Sequence, residues 1–305
     1  MPSPLKLNFL GVLLAALLTW PAHGQDTNGI IVLQSDKGTR QGAVAQMKGV
    51  ALTVDPKLQI VDSTHEIVPF NVWEAAQRLS MTVPFFPAGT VFVSAVDNGP
   101  LEERRAVVML TESGHLIATP DNGSLTLVAE SLGVEQVREI EASREISPGA
   151  SDYYTYLARD IFAQAAAELA SGQRGFERIG PSLDSAYVAL TLEPATAADG
   201  VVTGTVSLVH EPFGNLWTNI DGATFDKLNA DYGDKLEVTI TEGDRIADQH
   251  TVAYVAAYPD VAPGDPLVLL NNVGNMSLAL SFGNFAQAFD IGTGPAWRIQ
   301  FEAAS

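Results

Sequence analysis

The spacing of apolar residues changes character once along the chain, near Pro181, and no single fold class accommodates both halves. Before that point, apolar runs alternate with helix-spaced stretches. Gly29 to Leu33 is a continuous apolar run that ends in the polar Gln34–Gly38, which predicts a buried strand feeding a loop. Residues 42–54 and 71–81 carry apolar side chains at helical spacing, and strand-like runs follow each, at 58–61 and 90–96. A strand pair at 106–111 and 116–118 flanks Glu112-Ser113-Gly114, and 160–169 reads as a helix. This alternation predicts an α/β N-terminal domain with a mostly parallel sheet and flanking helices. After Pro181 the chain holds strand-like runs at 201–209, 235–241, 251–255, 267–270, 276–280 and 297–302, broken by Gly, Asn, Asp and Pro. That texture predicts an all-β, barrel-like C-terminal domain. The expected boundaries are 25–184 for the first domain and 185–305 for the second.

The opening stretch stands outside both domains. Lys6 is its only charge, Leu7 to Leu18 is apolar, and Pro21-Ala22-His23-Gly24 follows. These are the three regions of a cleavable secretory signal over residues 1–24, and the apolar run is too short to span a bilayer. The expected location is therefore periplasmic or secreted, with no membrane attachment after cleavage.

Charge and composition remove several classes of function. With 17 basic against 36 acidic side chains the chain carries −19, the wrong sign for a surface that releases counterions from nucleic acid. It has no cysteine, so disulfides, thiolate metal sites and thiol nucleophiles are excluded. The five histidines, at 23, 65, 115, 210 and 250, are isolated from one another, and no metal site is expected. Phosphate-loop, dinucleotide-binding, nucleophile-elbow and zinc-protease motifs do not occur.

What remains are polar stretches at expected strand ends. Ser35-Asp36-Lys37-Gly38-Thr39 follows the first strand and Asp97-Asn98-Gly99 a later one. In an open α/β sheet ligands bind beyond the carboxyl ends of strands, so two such carboxylates can be neighbours. Taken alone, each Asp reads equally well as a turn former beside Gly. In the second domain, His210 to Ile220 packs aromatics, amides and a glycine into a short span, and reads either as a ligand-binding segment or as an irregular connection around a structural Trp217.

Seven blocks, in order, resemble the S-adenosylmethionine (SAM) hydroxide adenosyltransferase family, which also contains fluorinases and chlorinases. They are Ser35–Gly49, Asp62–Ala76, Phe85–Gly99, Thr119–Thr126, Arg159–Phe162, Pro212–Ile220 and Leu270–Ala279. The resemblance implies a homotrimer that binds a nucleoside ligand, SAM or adenosine, between one subunit's N-terminal domain and the next subunit's C-terminal domain. It implies no metal and no organic cofactor, with SAM as substrate. In the hydrolytic branch, water displaces methionine from the ribose 5′ carbon and leaves adenosine.

The same resemblance implies roles for single residues. Asp36 matches the carboxylate that accepts from the ribose hydroxyls, Phe70, Phe213 and Tyr258 match aromatics around the nucleoside, and Asn215 matches the amide that reads adenine. Asp97 and Arg104 match two of the three groups that orient the water. The third, a histidine, is replaced by Leu157, and His210 and Asn272 stand where the family carries an Asp and a Ser at the methionine end. Ala158 and Asp97 replace the Ser and Tyr of the halide pocket, which disfavours a halogenase. Two readings follow: a SAM hydrolase, or a catalytically impaired adenosine-binding protein of the same fold.

Overall fold

The computed structural model describes residues 27–100, 103–141, 156–211 and 213–304. The expected signal segment lies outside these residues, as do Leu101 and Pro212.

The N-terminal half runs β1 (Ile30–Ser35), α1 (Ala43–Val54), β2 (Gln59–Thr64), α2 (Val72–Thr82), β3 (Val91–Ala95), β4 (Ala106–Leu110), β5 (Leu116–Pro120), α3 (Thr126–Leu132) and β6 (Gln136–Glu139), and ends with α4 (Gln164–Ala170). The sheet order is β2-β1-β3-β5-β4-β6. The first four strands in that order are parallel, and β4 is antiparallel to both its neighbours. Alternation along each strand sends side chains to opposite layers. Ile31, Leu33, Val93 and Ala95 pack under Met47, Ala51, Phe162 and Ala166, whereas Val32, Phe92 and Ile117 pack under Leu79 and Val128. Helices thus cover both faces, as the alternation predicted.

The expected helix at 160–169 opens differently. Residues Ala158–Ala163 form a wider π turn before α4 begins. Asp160, fully buried in that turn, is gripped by Arg159 Nε at 2.6 Å and Nη2 at 2.8 Å, and accepts from the Tyr156 amide at 2.8 Å.

The C-terminal half contains β7 (Thr196–Ala198), β8 (Val201–His210), β9 (Asn215–Asp221), α5 (Gly222–Phe225), β10 (Lys235–Glu242), β11 (Arg245–Tyr254), β12 (Pro266–Leu270), β13 (Asn275–Leu280), α6 (Phe285–Phe289) and β14 (Trp297–Ala303). Seven strands in the order β14-β10-β11-β12-β13-β9-β8 close on themselves through β14 and β8. Val206, Leu216, Val238, Val252, Val268, Leu278 and Phe301 fill the interior, and closure removes the open edges a sheet would expose. Asn215–Asp221 is therefore a barrel strand rather than an irregular connection, and Trp217 is buried within it. Trp73 on α2 donates to the Ser207 carbonyl on β8 at 2.8 Å and ties the two halves together.

Candidate functional site

The strand order places β1 between β2 and β3, so successive crossovers leave β1 in opposite directions and open a crevice beyond its carboxyl end. Ser35 pairs with Ala95 in the sheet, which puts Asp36 and Asp97 side by side at that crevice. Asp36 Oδ2 accepts from the amides of Asp97 and Phe70, each at 3.1 Å. Its Oδ1 lies 2.8 Å from Lys37 Nζ, and the side chain is only 2% exposed.

Both amide donors belong to residues in the left-handed region, Phe70 at φ 68° and Asp97 at φ 47°. Non-glycine residues adopt that conformation at a cost, and the shared carboxylate helps to hold both turns. Burial pushes the Asp36 carboxyl up, but Lys37 and the two amides outweigh it and keep the carboxyl below its ordinary value.

Asp97 turns its own carboxylate toward Arg104, whose Nη1 lies 2.5 Å from Oδ1 and also donates to the Asp97 carbonyl at 2.9 Å. Asn122 Nδ2 donates to the Val96 carbonyl at 3.0 Å and reaches the Asp97 carbonyl at 3.4 Å. A partly exposed carboxylate and guanidinium in direct contact can hold a water beside the pair, on a remaining carboxylate lone pair and a remaining guanidinium N–H. Leu157 lies at the start of the π turn and packs on the α/β core, so it contributes bulk and no proton donor.

The second half of the site is a cavity of about 590 Å³ on the barrel, lined by His210, Phe213, Asn215, Tyr258, Leu280, Phe282, Gly283 and Asn284. Asn215 Nδ2 donates to the Tyr258 hydroxyl at 2.8 Å, which fixes an amide at the base of an aromatic slot. His210 stacks against Trp217 at 4.9 Å and Phe213 at 5.6 Å. Burial, with the positive charge of Arg78, holds its imidazole below the ordinary value, so the ring is neutral at pH 7. An apolar slot with one fixed amide and one hydroxyl suits a flat, uncharged heterocycle.

The structure thus gathers the expected residues into two groups. Asp36, Phe70, Asp97 and Arg104 form one, on the α/β domain, and Phe213, Asn215 and Tyr258 form the other, on the barrel. No member of the first group lines the cavity of the second. Asn272 joins neither: it is exposed on the turn between β12 and β13, which adjoins Gly222 at the far end of β9 from Asn215. Among the described residues no three His, Asp or Glu converge as a metal-ligand set. Sequence reasoning missed Lys37, Phe282 and Asn284. Lys37 lies inside the first motif block, whereas Phe282, 91% exposed, and Asn284 lie just beyond the last one.

Two family profiles match the chain, the N-terminal domain of SAM hydroxide adenosyltransferases over residues 31–180 and their C-terminal domain over 204–298. A fluorinase from an Actinoplanes species is 28% identical over 298 residues, covering 90% of this chain and 97% of its own. An (R)-S-adenosyl-L-methionine hydrolase from Salinispora tropica is 30% identical over 271 residues, covering 88% and 97%. Among solved structures, an uncharacterized conserved protein from Thermotoga maritima superposes with a TM-score of 0.79 at 34% identity, covering 89% of this chain and 99% of that one.

Proposed function

The chain belongs to the SAM hydroxide adenosyltransferase family, and on that premise we propose that it hydrolyses SAM to adenosine and methionine. The observation that carries this reading is the Asp97–Arg104 pair at 2.5 Å, beside Asp36 at the switch point of the sheet. Water held by that pair attacks the ribose 5′ carbon in line with the sulfonium. The new O–C5′ bond forms as the C5′–S bond breaks, and the electron pair leaves with sulfur as the neutral thioether of methionine. The proton that water loses passes to Asp97 or to solvent. Positioning and exclusion of bulk water do most of the work, since the leaving group departs uncharged. A carboxylate at position 97 would repel a halide nucleophile, which favours water over halide.

In this reading the Asp36 carboxylate, closed off from solvent in this structure, opens to accept the ribose hydroxyls, and adenine enters the slot of Phe213, Asn215 and Tyr258. Because the two groups line separate surfaces, a second copy of the chain brings them onto one ligand, which supports the homotrimer. The mature protein then acts in the periplasm or outside the cell after loss of residues 1–24. Reaction in water labelled with oxygen-18 tests the chemistry: the label belongs in the 5′ hydroxyl of adenosine, and label found only in methionine, or in neither product, refutes attack at C5′.

A second reading has its own support. Leu157 offers no proton donor and His210 offers no carboxylate, so the site is also suited to holding adenosine without turnover. Calorimetry with adenosine, on the wild type and on Asp36→Ala, tests it. Binding lost in the variant, with no adenosine formed from SAM, favours this reading over the first.

A further inference from the structure

We propose that His65 is a positioning residue that acts through Ser35 to fix Asp36, and through Asp36 the water-binding Asp97. The inference rests on the reading of Asp36 and Asp97 given above. Its basis is a continuous chain of hydrogen bonds behind the site, exposed at Lys48 and Asp62 and buried at His65 and Ser35. Lys48 Nζ lies 2.5 Å from Asp62 Oδ2, Asp62 Oδ1 lies 3.1 Å from His65 Nε2, and His65 Nδ1 lies 2.7 Å from Ser35 Oγ. The Lys37 amide then reaches Ser35 Oγ at 3.4 Å, and the Gly38 amide donates to the His65 carbonyl at 2.7 Å. His65 therefore anchors the chain on both sides of Asp36.

Donor and acceptor counting fixes the direction of the relay. Asp62, beside Lys48, is a carboxylate and can only accept, so His65 Nε2 carries the proton and donates to it. Nδ1 is then the acceptor for the Ser35 hydroxyl, whose lone pairs face the Lys37 amide. The arrangement resembles a Ser-His-Asp triad, but Ser35 is fully buried, so it has no access to a substrate. A buried histidine satisfied at both nitrogens is instead a rigid spacer, and the object it braces is the loop that carries Asp36.

Two substitutions of His65 separate its two bonds. In His65→Asn the amide occupies the place of Nδ1 and keeps the bond to Ser35; in His65→Gln it reaches the place of Nε2 and keeps only the bond to Asp62. Both variants are compared with the wild type for adenosine affinity, for KM and kcat with SAM, for urea unfolding, and for amide hydrogen exchange of Phe70 and Asp97. The expected result is that His65→Asn stays within about threefold of the wild type. In His65→Gln adenosine affinity should fall and KM rise, each by about tenfold, and the Phe70 and Asp97 amides should exchange about tenfold faster at matched unfolding free energy. Equal losses in both variants, or unchanged exchange at both amides in His65→Gln, overturn the proposal. A wild type that neither binds adenosine nor turns over SAM overturns the functional reading alone, and the exchange comparison still decides the relay.

Discussion

Asp36 Oδ2 accepts the backbone amide of Asp97 at 3.1 Å, so the two acidic residues of the crevice are joined through main chain rather than through a shared proton. This leaves the Asp97 carboxylate free to face Arg104. It also means that the residue expected to clamp ribose is at the same time the clip that holds the water-binding turn. Under the proposed function, ligand binding and water orientation are thus mechanically linked at one carboxylate.

Replacing Asp97 by Asn keeps the amide that Asp36 accepts and a side chain that tolerates the left-handed region, but removes the charge opposite Arg104. Hydrolysis of SAM should fall about 10²-fold while the melting temperature moves by only a few degrees. Steady-state kinetics alongside a thermal melt checks both halves. A large fall in melting temperature with no specific loss of rate would assign Asp97 to folding alone.

The pH dependence of stability follows from Asp36. Its carboxyl is held below its ordinary value in the folded chain, so the unfolded state takes up its proton first as pH falls. The stabilisation is complete above the unfolded value, about pH 4, and is lost as pH drops through the folded value. Asp36→Asn should therefore flatten the acid limb of a plot of urea-unfolding free energy against pH, leaving the difference from wild type largest near neutrality.

Leu157→His introduces a side chain able to hold and pass a proton at the position where the resemblance implies a histidine. The rate with SAM should rise by about tenfold or more, and stability should fall by about 1–2 kcal/mol because a leucine packed on the α/β core is lost. An unchanged rate with the expected loss of stability would place the divergence elsewhere in the pocket.

Gly214 forms the turn between β8 and β9 at φ 67°, and a β carbon there would overlap the Asn284 side chain. Gly214→Ala should displace Phe213 and Asn284 from the cavity and weaken adenosine binding by about tenfold, with a cost of about 1 kcal/mol or more in urea unfolding. Calorimetry and denaturation on the same preparation measure both.

How much of this was legible in sequence depends on burial. β1 and β3 are buried along nearly their whole length, and their unbroken apolar runs marked their carboxyl ends, and with them Asp36 and Asp97. β2 is largely exposed at the sheet edge, so its continuation through Asp62, Ser63 and Thr64 carries no apolar signal and the run read as 58–61 extends to Thr64. For the same reason the exposed first half of β11, from Arg245, escaped a pattern that begins at Thr251. β9 was obscured because its Asn, Thr and Asp residues mimic turn composition, although closure of the barrel buries most of the strand. Asp36, Phe70, Asp97, Phe213 and Asn215 could be named as candidates because they fall in motif blocks. The clip between Asp36 and Asp97 could not, because a side chain bonded to an amide 61 positions away leaves no local pattern.

The most direct measurement is to incubate the purified protein with SAM and follow adenosine and methionine by chromatography, with Asp97→Ala as the control. The account predicts equimolar adenosine and methionine from the wild type and at most about one hundredth of that rate from the variant. Wild-type turnover no greater than that of Asp97→Ala would contradict it.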